Sequence, residues 1–134
     1  MEIAETSKSR VDSAVDVLSG KLKDILAQKE KGVIQVDSDC IVVEAARKMR
    51  KNKVGALMVL ENGELVGIFT ELDLMSRVVA ERLDPEKVKV SAAMTSSIAT
   101  VPLETPIREA ANLMSQNRIR HLPVHQDGKL CGVI

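Results

Sequence analysis

The chain has 134 residues, of which 45% are hydrophobic and 28% charged, the profile of a folded domain with a real core rather than of a disordered segment. Its 19 basic and 19 acidic residues cancel and Phe69 is its only aromatic, so it carries neither the basic excess nor the stacking platform of a nucleic-acid binder. No apolar run approaches the roughly 20 residues of a membrane span, MEIAETSKSR lacks a signal peptide's apolar stretch, and Cys40 and Cys131 form no CxxC pair, which predicts a cytoplasmic chain with two buried, unreactive thiols.

Val11, Val15, Leu18, Leu22 and Ile25 are spaced 4-3-4-3 and predict a helical lead-in, packed across the rest of the chain or facing a partner. GVIQV then reads as a strand. Ile41, Ala45, Ala46 and Met49 fall on one helical face, with Asp39 as the expected cap and Asn52 at the end, where asparagine tolerates a left-handed backbone. ALMVL and LVGIF flank ENGE, and Asn-Gly is the strongest short hairpin signal. Leu72, Met75, Val78, Val79 and Leu83 then take helical spacing up to the proline of LDP.

The same order follows again. SIATV reads as a strand, and Thr105 and Pro106 read as cap and first helical residue. Ile107, Ala110, Ala111 and Met114 share a helical face that ends at Asn117, and LPV and LCGVI flank QDGK. Shifting the sequence by 65 lays Val36–Phe69 on Val101–Ile134 without a gap. Val36/Val101, Glu44/Glu109, Ala45/Ala110, Ala46/Ala111, Met49/Met114, Asn52/Asn117, Leu57/Leu122, Val59/Val124, Gly63/Gly128, Leu65/Leu130 and Gly67/Gly132 become identical pairs. One β-α-β-β-α unit is used twice.

EAARKM and EAANLM, NRIRHLPV, DGKLCGVI and GIFTELD, in this duplicated order, resemble a tandem pair of CBS domains, a Bateman module. The resemblance implies an α/β (α+β) fold of two pseudo-twofold-related motifs packed sheet to sheet. The expected boundaries are residues 1–21 for the lead-in, 22–87 for the first motif and 88–134 for the second. The partner of Thr70 would fall beyond Ile134, so the second motif is expected to be truncated before its last helix. The resemblance further implies a regulatory module that binds AMP, ADP, ATP or S-adenosylmethionine in clefts between the motifs, pairs as a homodimer, and passes a conformational change to a regulated enzyme or other protein. No catalytic cofactor, metal, nucleic acid or membrane is expected.

Gly67, Thr70 and Asp73 match the family's nucleotide motif, in which the carboxylate accepts the ribose hydroxyls and the hydroxyl residue meets phosphate or ribose. The residues alone allow a plainer reading, since T-x-x-D is also a helix cap with a favourable charge in the first turn. A helix N-terminus also presents unpaired N–H groups to phosphate. Arg120 and His121 match phosphate-reaching positions, and arginine offers a fork suited to phosphate oxygens. Arg118 and Arg120 could equally be solvated charges around a loop. Met94, Thr95 and Ile98 are expected to wall the adenine, and Pro123 completes the set. Gly55, Ala56 and Met58 stand where the second copy has Arg120, His121 and Pro123, so the first copy offers no comparable cation. His121 and His125 are four apart on a strand, roughly 13 Å, too far to share a metal.

A nucleophile with an adjacent base, a Walker loop and a GxGxxG motif are all missing from the sequence, which argues against an enzyme. The alternative to a ligand sensor is a dimerising or docking scaffold with an empty cleft.

Overall fold

A computed structural model describes residues 20–26 and 33–134. Val11, Val15 and Leu18 of the expected lead-in stripe lie outside the described residues. In chain order the elements are α1 (Leu22–Leu26), β1 (Gln35–Asp37), α2 (Val42–Asn52), β2 (Ala56–Glu61) and β3 (Glu64–Thr70). A turn of helix, α3 (Glu71–Asp73), widens at once into a π-helical stretch, Leu74–Val79. Then come α4 (Val90–Ala93), β4 (Val101–Pro102), α5 (Ile107–Asn117), β5 (Pro123–Gln126) and β6 (Lys129–Val133).

By contacts the chain forms two compact units, a continuous one, 31–98, and a split one that joins the segment before residue 31 to 99–134. Each holds a mixed three-stranded sheet, in the orders β1-β2-β3 and β4-β5-β6. The outer strand pairs in parallel and the hairpin antiparallel in both, with a bulge after Val59 in one copy and after Val124 in the other. The hairpin turns form as the sequence predicts. Asn62 and Gly63 have φ of 53° and 81°, Asp127 and Gly128 of 53° and 78°, so both central residues of each turn are left-handed, which suits the right-handed twist of the strands.

The repeat positions become core positions. Val36, Val42, Ala45, Leu57 and Val59 are buried in the continuous unit, and Val101, Ile107, Ala110, Leu122 and Val124 in the split one, each pair 65 apart. The inward face of α2 therefore starts at Val42, while the expected Ile41 is 38% exposed. Ile107 already marked that register in the other copy.

Both helix starts differ from expectation for one reason. Asp39 does not cap α2; its own N–H donates to the Asp37 carboxylate, 3.0 Å. Ile41 and Pro106 occupy the cap positions, and neither Asp39 nor Thr105 supplies a side-chain cap. Backbone carbonyls from distant chain meet the exposed N–H groups instead. Val42 N–H donates to Val88 O at 2.8 Å, Val43 N–H to Pro85 O at 2.9 Å, and Ile107 N–H to Gly20 O at 3.0 Å. At the other ends Lys53 and Arg118 take the left-handed conformation, one residue later than expected. Asn52 and Asn117 close the helices by donating side-chain N–H to Lys48 O and Leu113 O, one turn back.

The same carbonyl contacts reveal a second correspondence. Val90 N–H donates to Cys40 O at 2.7 Å, and Leu22 N–H to Thr105 O at 3.0 Å. Lys89 bridges Ile41 as Lys21 bridges Pro106. Residues 20–26 thus do for the split unit what 88–94 do for the continuous one, at an offset of 68 rather than 65. Each segment docks on the repeat it does not immediately precede. Leu22, expected to begin the first motif, is fully buried against Ile107, Leu122 and their neighbours, and residues 88–98, expected to begin the second, complete the continuous unit. Lys21 and Lys23 brace the docked α1 through Glu104, whose exposed carboxyl the Lys21 hydrogen bond holds below its ordinary range.

The docking of α1 makes Leu22→Ala expensive. It should cost roughly 2–5 kcal/mol in denaturant unfolding, the range for truncating a fully buried leucine. A loss under about 0.5 kcal/mol, the range of surface substitutions, would show that α1 does not pack there.

Candidate functional site

Strand β3 delivers Thr70 to the sheet edge, where an extended backbone turns directly into helix. The turn closes on itself. Thr70 N–H donates to Asp73 Oδ2 at 2.9 Å, and Asp73 N–H donates to Thr70 Oγ1 at 3.1 Å, a reciprocal capping box. The Thr70 hydroxyl also donates to Oδ2, at 3.0 Å. Glu71 N–H is taken by Gly55 O at 3.0 Å. The N–H groups of Glu71 and Asp73, expected to face a phosphate, are therefore spent within the protein.

Asp73 is nonetheless more than a cap residue. Its side chain is 6% exposed, which is rare for a carboxylate without strong partners. Its second oxygen, Oδ1, accepts the Thr95 hydroxyl at 2.9 Å. Arg77, one turn on, brings Nε to 3.7 Å from the same oxygen and donates Nη1–H to Met94 O at 2.8 Å. Sequence reasoning missed Arg77, although the D-x-x-x-R spacing that places two side chains on one helical face was visible.

The linker reaches Asp73 because it is stitched to β3. Ile68 N–H donates to Thr95 O at 2.9 Å and Thr95 N–H to Ile68 O at 2.8 Å, which makes Thr95 a one-residue extension of the sheet. Gly67 is what lets it approach. A Cβ at Gly67 would stand 2.5 Å from Met94 Sδ and 2.9 Å from Thr95 O. At the equivalent Gly132 a Cβ would meet the Leu26 methyls at 2.7 Å, so each sheet is covered at this position by its docked segment.

The continuous unit therefore brings together Gly67, Thr70, Asp73, Met94 and Thr95, with Ile98 half-buried further along the same linker. Arg120, His121 and Pro123 belong to the split unit. Arg120 is exposed and His121 half-buried in the turn after α5, and Pro123 is buried as the first residue of β5. Among the described residues no three His, Cys, Asp or Glu side chains gather as a metal site. No described helix is long and apolar enough to cross a membrane.

The cysteines depart from expectation. Cys40 is half-buried and Cys131 exposed, the latter with its Sγ–H donating to Val124 O at 3.3 Å. Desolvation pushes both thiols above the ordinary cysteine range, reinforced at Cys40 by the negative charge of Glu44. A raised pKa keeps the neutral, unreactive thiol dominant at neutral pH.

The pattern of the CBS domain matches residues 22–80 and 90–134. A mitochondrial CBS domain-containing protein of Arabidopsis thaliana, CBSX3, is 33% identical over 125 residues, 87% of this chain and 61% of that protein, so the chain spans about three fifths of this relative's length. The crystal structure of a CBS-domain containing protein from Agrobacterium tumefaciens superposes with a TM-score of 0.78 at 33% identity, over 85% of this chain and 91% of the other. A hexameric CBS-CP12 protein from bloom-forming cyanobacteria superposes with a TM-score of 0.75 at 29% identity, over 85% of this chain and 62% of its own.

Two measurements check this geometry. Gly67→Ala should cost about 1–3 kcal/mol, the range for overpacking, because the Thr95 carbonyl it meets is bonded to Ile68 and cannot retreat. Alkylation of Cys40 and Cys131 by a neutral reagent should be slower at pH 7 than that of a free cysteine and should rise to full rate only above the ordinary thiol range. Labelling at the rate of a free cysteine at pH 7 would contradict the upward push on these thiols.

Proposed function

We propose that this chain, which belongs to the CBS-domain family, senses an adenosine-containing nucleotide by its sugar at Asp73. Pairs of CBS domains are regulatory modules in general. The carrying observation is the Asp73 carboxylate: buried, supported by Thr70 and Arg77, and lying beside the linker at Thr95. A carboxylate offers about four acceptor positions and can take both hydroxyls of a vicinal diol in one fixed geometry. AMP, ADP, ATP and S-adenosylmethionine share that diol, and the groups around Asp73 read the sugar rather than the phosphates or sulfonium attached to it. The module works without catalysis of its own and hands its response to a regulated protein.

A second reading rests on a different face. Leu72, Met75, Val79 and Leu83 are 63%, 59%, 66% and 41% exposed, although their spacing is that of a single helical stripe. Of the five residues whose spacing in the sequence is helical there, Val78 alone turns inward, joined by Leu74. Exposed large apolar side chains gathered in one stretch of chain mark an interaction surface. We assign it to a second copy of this chain, because an apolar patch without like charges facing each other can meet its own copy across a twofold axis.

A thermal-shift panel with AMP, ADP, ATP and S-adenosylmethionine tests the first reading. At 100 times Kd, a ligand that binds only the folded protein stabilises it by about 2.7 kcal/mol. Asp73→Asn, which retains the shape and one acceptor, should abolish the shift. A panel in which no adenosine compound shifts the protein would leave the scaffold reading standing. For the second, Met75→Glu should convert a dimer to a monomer in sedimentation without lowering the melting temperature of the fold; an unchanged dimer would place the interface elsewhere.

A further inference from the structure

We infer that the Thr95 hydroxyl is a built-in competitor for the ligand's sugar hydroxyls at Asp73, and that Arg77 holds the linker that carries it. The inference rests on the nucleotide reading for its ligand but on the structure for its contacts. Asp73 Oδ2 already accepts two hydrogen bonds, from the Thr70 N–H and the Thr70 hydroxyl. Oδ1 accepts the Thr95 hydroxyl and faces Arg77 Nε. Of about four acceptor positions, three are filled and a cation shadows the fourth. A vicinal diol needs two. Two donors lie outside the capping box, the Thr70 hydroxyl on Oδ2 and the Thr95 hydroxyl on Oδ1. Displacing Thr95 is what clears both positions of one oxygen, Oδ1, for a diol on a residue that is only 5% exposed.

Displacement has a consequence because Thr95 is not a free rotor. Its backbone is paired with Ile68 on both sides, and the preceding carbonyl, Met94 O, is held by Arg77. Arg77 therefore contacts the linker and stands beside the carboxylate at the same time. When Oδ1 is given to a ligand, the linker loses its side-chain anchor and keeps the backbone and Arg77 anchors. The segment 94–98 is then the element that moves between free and bound protein. Thr95 sets affinity, and Arg77 is a positioning residue that sets how far the linker is released.

Amide hydrogen exchange and calorimetry with AMP decide the matter together. In ligand-free protein, Thr95→Val and Arg77→Gln should each speed exchange of the amide at position 95 by about ten-fold, the worth of one hydrogen bond to a charged group. Exchange at Leu57 and Val59, in the core strand, should not change. An unaltered amide at position 95 in both variants overturns the latch, and this result is readable whether or not AMP binds. With AMP, Thr95→Val should bind about ten-fold tighter than the native chain, because the diol no longer displaces a donor. Equal or weaker binding by Thr95→Val overturns the competition and makes Thr95 a ligand contact instead. Failure of the native chain to bind any of AMP, ADP, ATP and S-adenosylmethionine sinks the nucleotide reading alone.

Discussion

The two longest described helices, α2 and α5, begin without a side-chain cap, and the fold is organised around what replaces it. The first N–H groups of α2 are taken by the carbonyls of Val88 and Pro85, and that of α5 by the carbonyl of Gly20. An uncapped helix start leaves several strong donors to be satisfied, so a segment far away in the chain must dock there before the repeat is complete. Once docked, each segment also fills the core, with Leu22 in one unit and Val90 in the other, and covers the glycine of the sheet's last strand. Capping, core and sheet edge are thus satisfied by one event per unit.

That constraint places the site. Segment 88–94 docks on α2, and its continuation has no freedom to leave before Thr95 pairs with Ile68. Thr95 arrives beside Thr70, where β3 runs out and a helix must start. The Asp73 carboxylate serves both needs, closing the capping box with one oxygen and receiving the linker with the other. The immediate widening into π-helix after Asp73 places Val78 in the core and leaves Arg77 over the linker. Such widened turns occur often at functional sites. The cap seen at T-x-x-D is also what holds the carboxylate buried, so the proposed ligand reading rests on the same arrangement as the structural one.

The split unit shows the same frame differently furnished. Leu26 covers Gly132 as Met94 covers Gly67, and the hairpin, bulge and left-handed helix ends recur. Duplication conserves the frame because the frame is backbone pairing and core volume. It does not conserve Gly55 and Ala56 against Arg120 and His121: Gly55 leaves room for the Glu71 side chain and Ala56 opens β2, while Arg120 is exposed in the turn after α5.

The sequence by itself determined the duplicated unit, its order of elements, both hairpin turns and much of the core, because hydrophobic period, Asn-Gly and Asp-Gly are local signals that two copies confirm against each other. It also singled out Thr70, Asp73 and Thr95. Only the tertiary structure decided which residues cap the helices, since Gly20, Pro85 and Val88 act through carbonyls that every residue possesses. It alone decided that residues 20–26 and 88–94 are equivalents, because only Lys21 and Lys89 match between them and the docking is made by backbone. It alone turned Leu72, Met75 and Val79 outward, since a helix with apolar residues on two faces does not announce which one the core will take. Partners supplied by the main chain leave no trace in a sequence, and that is why the frame was legible and its fastenings were not.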